Sequence, residues 1–111
     1  MNMSSIAWML ASTGMPAYVA AKAAIVGLTR GMSHELGAAK IRVNSVLPGA
    51  IVTERQQRLW WTPEYEAKIM ERQALKRRLT PEDVARMVLF LGSADSDGIT
   101  NQSFIVDGGV V

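Results

Sequence analysis

Apolar residues fall into two kinds of run along this chain, separated by short polar or Gly/Pro-containing stretches. The longest run, "AYVAAKAAIVGLTRGMSHEL", follows the loop "STGMP" and mixes alanine with larger apolar residues. Pro16 suits the first turn of a helix, where its missing N–H would have had no partner. Gly37 suits the left-handed position that closes one. A helix is therefore predicted from Pro16 to near Gly37. The run "IRVNSVL" (41–47) is short, rich in β-branched residues and closed by Pro48-Gly49, which predicts a buried strand and a sharp turn. A looser segment runs from Ala50 to Trp61. Thr62-Pro63-Glu64 then reads as an N-cap, a proline in the first turn and an acid at the positive helix end. Thr80-Pro81-Glu82-Asp83 repeats that signal before "VARMVLFLG", which stops at Gly92. "SFIVDGG" is a short strand ended by glycines, and the opening "MNMSSIA" is the end of another. Strands alternating with helices predict an α/β fold with a parallel sheet.

Composition narrows the classes of function. The 111 residues suffice for one small domain spanning 1–111, and 49% hydrophobic with 20% charged residues is ordinary for a globular chain. A net charge of +2 is too small to imply a nucleic-acid partner. The basic run Lys76-Arg77-Arg78 reads as a solvated helix end. The chain has no cysteine, so disulfides and thiolate metal sites are excluded, and a reducing, cytoplasmic setting fits. His34 has no second imidazole beside it and reads as a surface helical residue, so no metal site is expected. No apolar run reaches the length of a membrane span. The first twenty residues lack the basic start of a signal peptide, and secretion is not expected. The seven methionines show no clustering and read as core filling.

The candidate chemistry lies in "MPAYVAAKAAI" (15–25). Tyr18 and Lys22 are four apart and so share one helix face. A phenol with a pKa of about 10 is a poor base at neutral pH. A cation held beside a phenol favours the phenolate, which can take a proton from an alcohol or return one to a carbonyl. The spacing alone fits equally a half-buried tyrosine with a snorkelling lysine. Ser5 adds weight, because it stands at the carboxyl end of the first strand. Ligands of open parallel sheets bind outside those ends. The next strand ends at Pro48-Gly49, with Thr53 just beyond, and brings backbone and a hydroxyl toward the same crevice.

Ser5, then "YVAAK" (18–22) starting thirteen residues later, then "IRVNSVLPGAIVT" (41–53) and the terminal "FIVDGG" (104–109), resemble the short-chain dehydrogenase/reductase family across nearly the whole chain. The resemblance implies the C-terminal half of a Rossmann-type doubly wound parallel sheet, about three strands with flanking helices. It implies an oxidoreductase that transfers a hydride between a CH–OH group and NAD or NADP, with NAD placed first. Tyr18 would be the general acid/base. Lys22 would support it and hydrogen-bond the nicotinamide ribose, and Ser5 would orient the reacting oxygen. Pro48, Gly49, Ile51 and Thr53 would contact the nicotinamide end of the cofactor. Trp8 would stand near the substrate, and Trp60-Trp61 would sit in a substrate lid or pack that lid on the helices. The run from Val52 to Ser93 looks like the aldose 1-dehydrogenase branch, which implies a sugar or other small alcohol.

The family's glycine-rich dinucleotide turn, G-x-x-x-G-x-G or G-x-G-x-x-G, does not occur in these residues. The chain by itself is expected to bind dinucleotide very weakly and to turn over nothing measurable. A three-stranded remnant would expose a sheet edge and apolar surface. Ala23, Gly27 and Gly31 form a small-residue stripe on the first helix. Such a stripe lets another helix approach closely. The family resemblance implies a homo-oligomer through the helix carrying Tyr18 and Lys22, and the alternative is close packing within one chain. A non-catalytic interaction module is the alternative reading of the whole chain. Asn101 follows Thr100 where the family often has glycine, and a left-handed asparagine there would keep the turn.

Overall fold

The computed structural model describes residues 1–10 and 12–111. Three strands, β1 (Asn2–Met3), β2 (Ser45–Pro48) and β3 (Ser103–Val106), form one parallel sheet in the order β1-β2-β3. Asn2 pairs with Ser45, and β2 pairs with β3 from Ser45↔Ser103 to Pro48↔Val106. Parallel neighbours need long crossovers, usually helical. Here α1 (Pro16–Leu36) joins β1 to β2, while α2 (Glu54–Leu59), α3 (Pro63–Arg72) and α4 (Pro81–Gly92) lie between β2 and β3. The expected α/β architecture, three parallel strands with flanking helices, is what the chain adopts.

Burial is deepest on the central strand. Ser45, Val46 and Leu47 are at most 1% exposed, as expected where both faces of a parallel strand are covered. α1 packs against β1 and β2, and α4 against β2 and β3. Ile6, Val43, Ile51, Leu79 and Leu91 complete the apolar core. Polar residues are buried beside it with partners. The hydroxyls of Ser45 and Ser103 meet at 2.8 Å across β2 and β3, and Ser4 Oγ donates to Lys22 O at 2.6 Å. Both β1 and β3 are edges, and large apolar residues such as Met3, Leu89 and Ile105 stay exposed.

Several local expectations meet corrections. β2 starts at Ser45 rather than Ile41, because the preceding residues are held by the 99–102 turn. Val43 N donates to Thr100 Oγ1 (3.0 Å), and Asn44 Nδ2 to Ile99 O (2.8 Å). Gly37 does not take the left-handed position. It is right-handed (φ −60°) and leads into a short 3-10 turn, after which Lys40 is left-handed at φ 59°. The segment read as loose contains α2, whose N-cap Thr53 accepts from Gln56 N at 3.2 Å. The caps at Thr62 and Thr80 stand where the Thr-Pro-Glu signals place them. Asn101 is left-handed (φ 62°), as its turn requires.

The run Lys76-Arg77-Arg78 is not a solvated helix end, since it lies between α3 and α4 and is tied down. Lys76 Nζ donates to Met70 O and Gln73 O, both at 2.6 Å, and so caps the carboxyl end of α3. Arg77 forks onto Asp83 at 2.8 Å, and Arg78 onto Glu66 at 2.6 Å. The Arg77 guanidinium, then the Thr80 backbone N–H, hold the Asp83 carboxyl below its usual range. The Arg78 guanidinium, then the Trp61 indole, do the same for Glu66. A carboxyl depressed in the folded state stabilises the fold above its unfolded pKa, and that contribution disappears as pH falls through the folded value. The melting temperature is therefore expected to hold steady above about pH 5 and to fall below about pH 4. Arg77→Gln should make the fall shallower. A melting series in pH checks this, and an identical slope in the variant contradicts it. The arginine of each pair is exposed, so solvent screens the pair and the effect is modest.

Candidate active site

Ser5, Tyr18 and Lys22 come together at the carboxyl end of β1. Ser5 follows that strand by two residues and caps the 3-10 turn Ile6–Trp8, its Oγ accepting from Ala7 N at 3.2 Å. Among the described residues, the Ser5 hydroxyl proton has no acceptor. Tyr18 stands on the first turn of α1, 45% exposed, and its hydroxyl makes no hydrogen bond among the described residues. Lys22, one turn on, reaches back to Met3 O at 3.1 Å, and its ammonium lies 5.6 Å from the centroid of the Tyr18 ring. The Ser4 hydroxyl bonded to Lys22 O fixes this turn of α1 to the strand.

Ser5 and Tyr18 line one cleft of about 640 Å³. Gly49 and Ala50, beyond β2, form part of its wall, and Val110, beyond β3, another. Gly49 N donates to Val106 O at 2.9 Å, which binds the two strand ends together. Ile51 is buried in the core and bridges Leu79, so its side chain serves packing. Thr53 caps α2 through its oxygen, and its hydroxyl proton has no acceptor among the described residues. Pro48 closes β2 just before Gly49.

The other expectations divide. Trp60 lines the cleft, with the Arg55 guanidinium 5.9 Å from its ring, whereas Trp61 donates from Nε1 to Glu66 Oε2 at 3.2 Å and stacks edge-on with Tyr65. Trp61 thus packs the segment while Trp60 faces the cleft. Among the described residues, Trp8 is not part of the cleft wall, and its buried indole N–H has no partner. His34 is an exposed helical residue, 3.4 Å from the Asn101 amide. Among the described residues, a Cβ built on Gly27 or Gly31 meets no atom outside their own helix within 4 Å, whereas Ala23 is half-buried. No helix among the described residues is long and apolar enough to cross a membrane.

One part of the wall was missed from sequence. Tyr65, Lys68, Ile69 and Arg72 of α3 line the cleft, as do Arg55 and Gln56 of α2. The α3 residues follow the i, i+3, i+4, i+7 spacing of a single helix face. That periodicity was readable in "YEAKIMER", but nothing in it says toward what the face points.

The family model described as enoyl-(acyl carrier protein) reductase matches residues 1–111. The chain belongs to the short-chain dehydrogenase/reductase family. It is 52% identical over 109 residues to the probable galactose dehydrogenase of Rhizobium meliloti, covering 98% of this chain and 43% of that protein. It is 45% identical over 108 residues to the D-xylose 1-dehydrogenase of Caulobacter vibrioides, covering 97% and 43%. A solved 4-hydroxyisoleucine dehydrogenase complexed with NADH superposes with a TM-score of 0.93 at 34% identity, over 99% of this chain and 45% of that one. The chain thus spans less than half the length of these relatives.

Proposed function

We propose that the chain is the catalytic-helix half of a nicotinamide-dependent oxidoreductase that oxidises a hydroxyl of a sugar or another small alcohol. The observation that carries this reading is the pair of hydroxyls, Ser5 and Tyr18, on one cleft, with the Lys22 ammonium one helical turn from the phenol. Their free valences fit an alcohol. The Ser5 O–H can donate to the reacting oxygen while its lone pair holds the Ala7 N–H. The Tyr18 oxygen, without another partner, can take the hydroxyl proton. Lys22 spends one donor on Met3 O and keeps two, enough for the ribose of a dinucleotide as well as for the field at the phenol.

The groups present fit such a cofactor. Tyr18, Lys22 and the Pro48-Gly49 turn, with Thr53 after it, stand near the carboxyl ends of parallel strands, where dinucleotides bind in this architecture, and Ile51, its side chain buried in the core, has only backbone to offer there. When bound, a nicotinamide supplies the acceptor for the hydride from the carbinol carbon. The chain's own residues orient the hydroxyl and move its proton. NAD, placed ahead of NADP, and a cytoplasmic setting complete the reading for a cysteine-free chain. The test is assembly with the dinucleotide-binding half of the Rhizobium meliloti relative. Galactose- or xylose-dependent formation of reduced nicotinamide is expected from the complex and not from residues 1–111 alone. A soluble complex that binds dinucleotide and oxidises no alcohol overturns it.

The open face of α1 favours a second proposal that is compatible with the first: a homo-oligomer through that helix. Gly27 and Gly31 offer a flat track where another helix can approach closely. Gly27→Arg with Gly31→Arg should reduce the mass by light scattering to that of a single copy. An unchanged mass contradicts the contact.

A further inference from the structure

The cleft that holds Ser5 and Tyr18 carries charge of one sign. Arg55, Lys68 and Arg72 line it, and no aspartate or glutamate does. Four cations elsewhere have carboxylate partners, whereas Arg30, Lys40 and Arg58, which lie off the cleft wall, have none among the described residues. Arg77 and Arg86 reach Asp83, Arg78 reaches Glu66, and Arg42 reaches Asp97. Among the described residues, Arg55, Lys68 and Arg72 form no salt bridge and no side-chain hydrogen bond. Glu66, on the same helix as two of them, is taken up by Arg78 and Trp61. Lys68 and Arg72 also occupy the face that an amphipathic helix of this spacing would fill with apolar residues; Tyr65 and Ile69 are its other members. Each cation is exposed, so its charge is available to a ligand.

We propose that the substrate of this site is anionic: a polyhydroxylated molecule bearing a carboxylate or phosphate, which Arg55, Lys68 and Arg72 hold while its hydroxyl reaches Ser5 and Tyr18. This rests on the reading of Ser5 and Tyr18 given above and adds the substrate class to it. Guanidinium groups bind carboxylate and phosphate through paired N–H donors, and an ammonium adds a point charge. Trp60, 47% exposed on the same wall, offers an aromatic face to the C–H face of a sugar ring. The oxidation is unchanged: a bound oxidised nicotinamide would accept the hydride from the carbinol carbon, and Tyr18 in its phenolate form would take the hydroxyl proton, leaving a carbonyl. The anionic group takes no part in bond making and serves position and selection.

The test uses the complex assembled with the dinucleotide-binding half, titrated calorimetrically with galactose, galacturonate and galactose 6-phosphate. At least one of the two anions should bind about tenfold or more tighter than the neutral sugar. The arm that gains identifies carboxylate or phosphate. The preference should shrink as salt rises, disappear in Arg55→Gln/Lys68→Gln/Arg72→Gln, and persist in Lys68→Arg/Arg72→Lys. The three side chains are exposed and unpaired, so the charge-removing variant should fold, which its melting curve verifies. Equal affinities for acid and neutral sugar overturn the proposal. So does a preference that survives the triple variant, or a triple variant that weakens NAD binding and leaves the anions unaffected. Binding is read without turnover, so an anion preference with no oxidation would fault the catalytic reading alone, and oxidation without the preference would fault this one alone.

Discussion

Tyr18→Phe is expected to abolish alcohol oxidation by the assembled enzyme and to leave its fold intact. The substitution removes one oxygen, from an exposed residue, that makes no hydrogen bond within the described chain, so nothing buried loses a partner. The ring remains, and with it the contact to the Lys22 ammonium at 5.6 Å. The chemistry loses its proton acceptor. Positioned acid–base groups contribute roughly 10²–10⁴-fold to rate, so kcat should fall by about that factor, while KM and the melting temperature move little. Lys22→Met should also lower kcat. It breaks the bond to Met3 O as well, and part of its effect should therefore appear as reduced stability. Steady-state rates with melting curves for both variants separate the two roles. A Tyr18→Phe enzyme retaining more than a tenth of its rate would remove Tyr18 from the proton transfer.

The residues of that pair were legible because their geometry is local. An i, i+4 spacing fixes a shared helix face, and the Pro16 start fixes where the helix begins. Ser5 needed only the direction of one strand. The Thr-Pro-Glu starts of α3 and α4 were legible for the same reason, since a cap is a contact over three residues. What escaped depends on contacts across the chain. The start of β2 is set by Asn44, whose side chain donates to Ile99 and accepts from Gln102 N, both more than fifty residues away. The basic run 76–78 looked solvated because its carboxylates, Glu66 and Asp83, belong to two different helices. The cationic wall of the cleft was hidden likewise. α3 shows its face in sequence, but only the return of α2 and α3 beside the carboxyl ends of the strands turns that face toward Tyr18. The short α2 did leave a local sign: Thr53 and Glu54 form a cap and a first-turn acid inside a segment read as loose.

Gly49→Ala is expected to destabilise the fold clearly, although it adds a single methyl group. A Cβ at position 49 would lie 2.7 Å from Asp107 Cβ and 2.8 Å from Asp107 Cα, and the latter is backbone. Asp107 cannot step aside. It is buried at the end of β3, and its carboxylate accepts from the N–H groups of Gly109 (2.8 Å), Val110 (3.1 Å) and Val111 (3.0 Å). The residues that follow are fixed as well. Gly108 and Gly109 are left-handed, at φ 70° and 84°, and their carbonyls accept from Leu75 N and Ala74 N. Strain introduced at Gly49 would therefore pass into the last turn of the chain and the segment after α3. Overpacking of this kind costs typically about 1–3 kcal/mol. For a domain of this size each kcal/mol lowers the melting temperature by about 4–8 °C. Gly49 and Val110 both line the cleft, so substrate affinity should fall together with stability. Gly27→Ala supplies the contrast in the same experiment. No described atom outside its own helix lies within 4 Å of a Cβ there, and alanine in a helix interior gains about 0.5–1 kcal/mol over glycine, so that variant should melt higher. A Gly49→Ala protein as stable as the parent would show that β2 and β3 part at their carboxyl ends more easily than their packing implies.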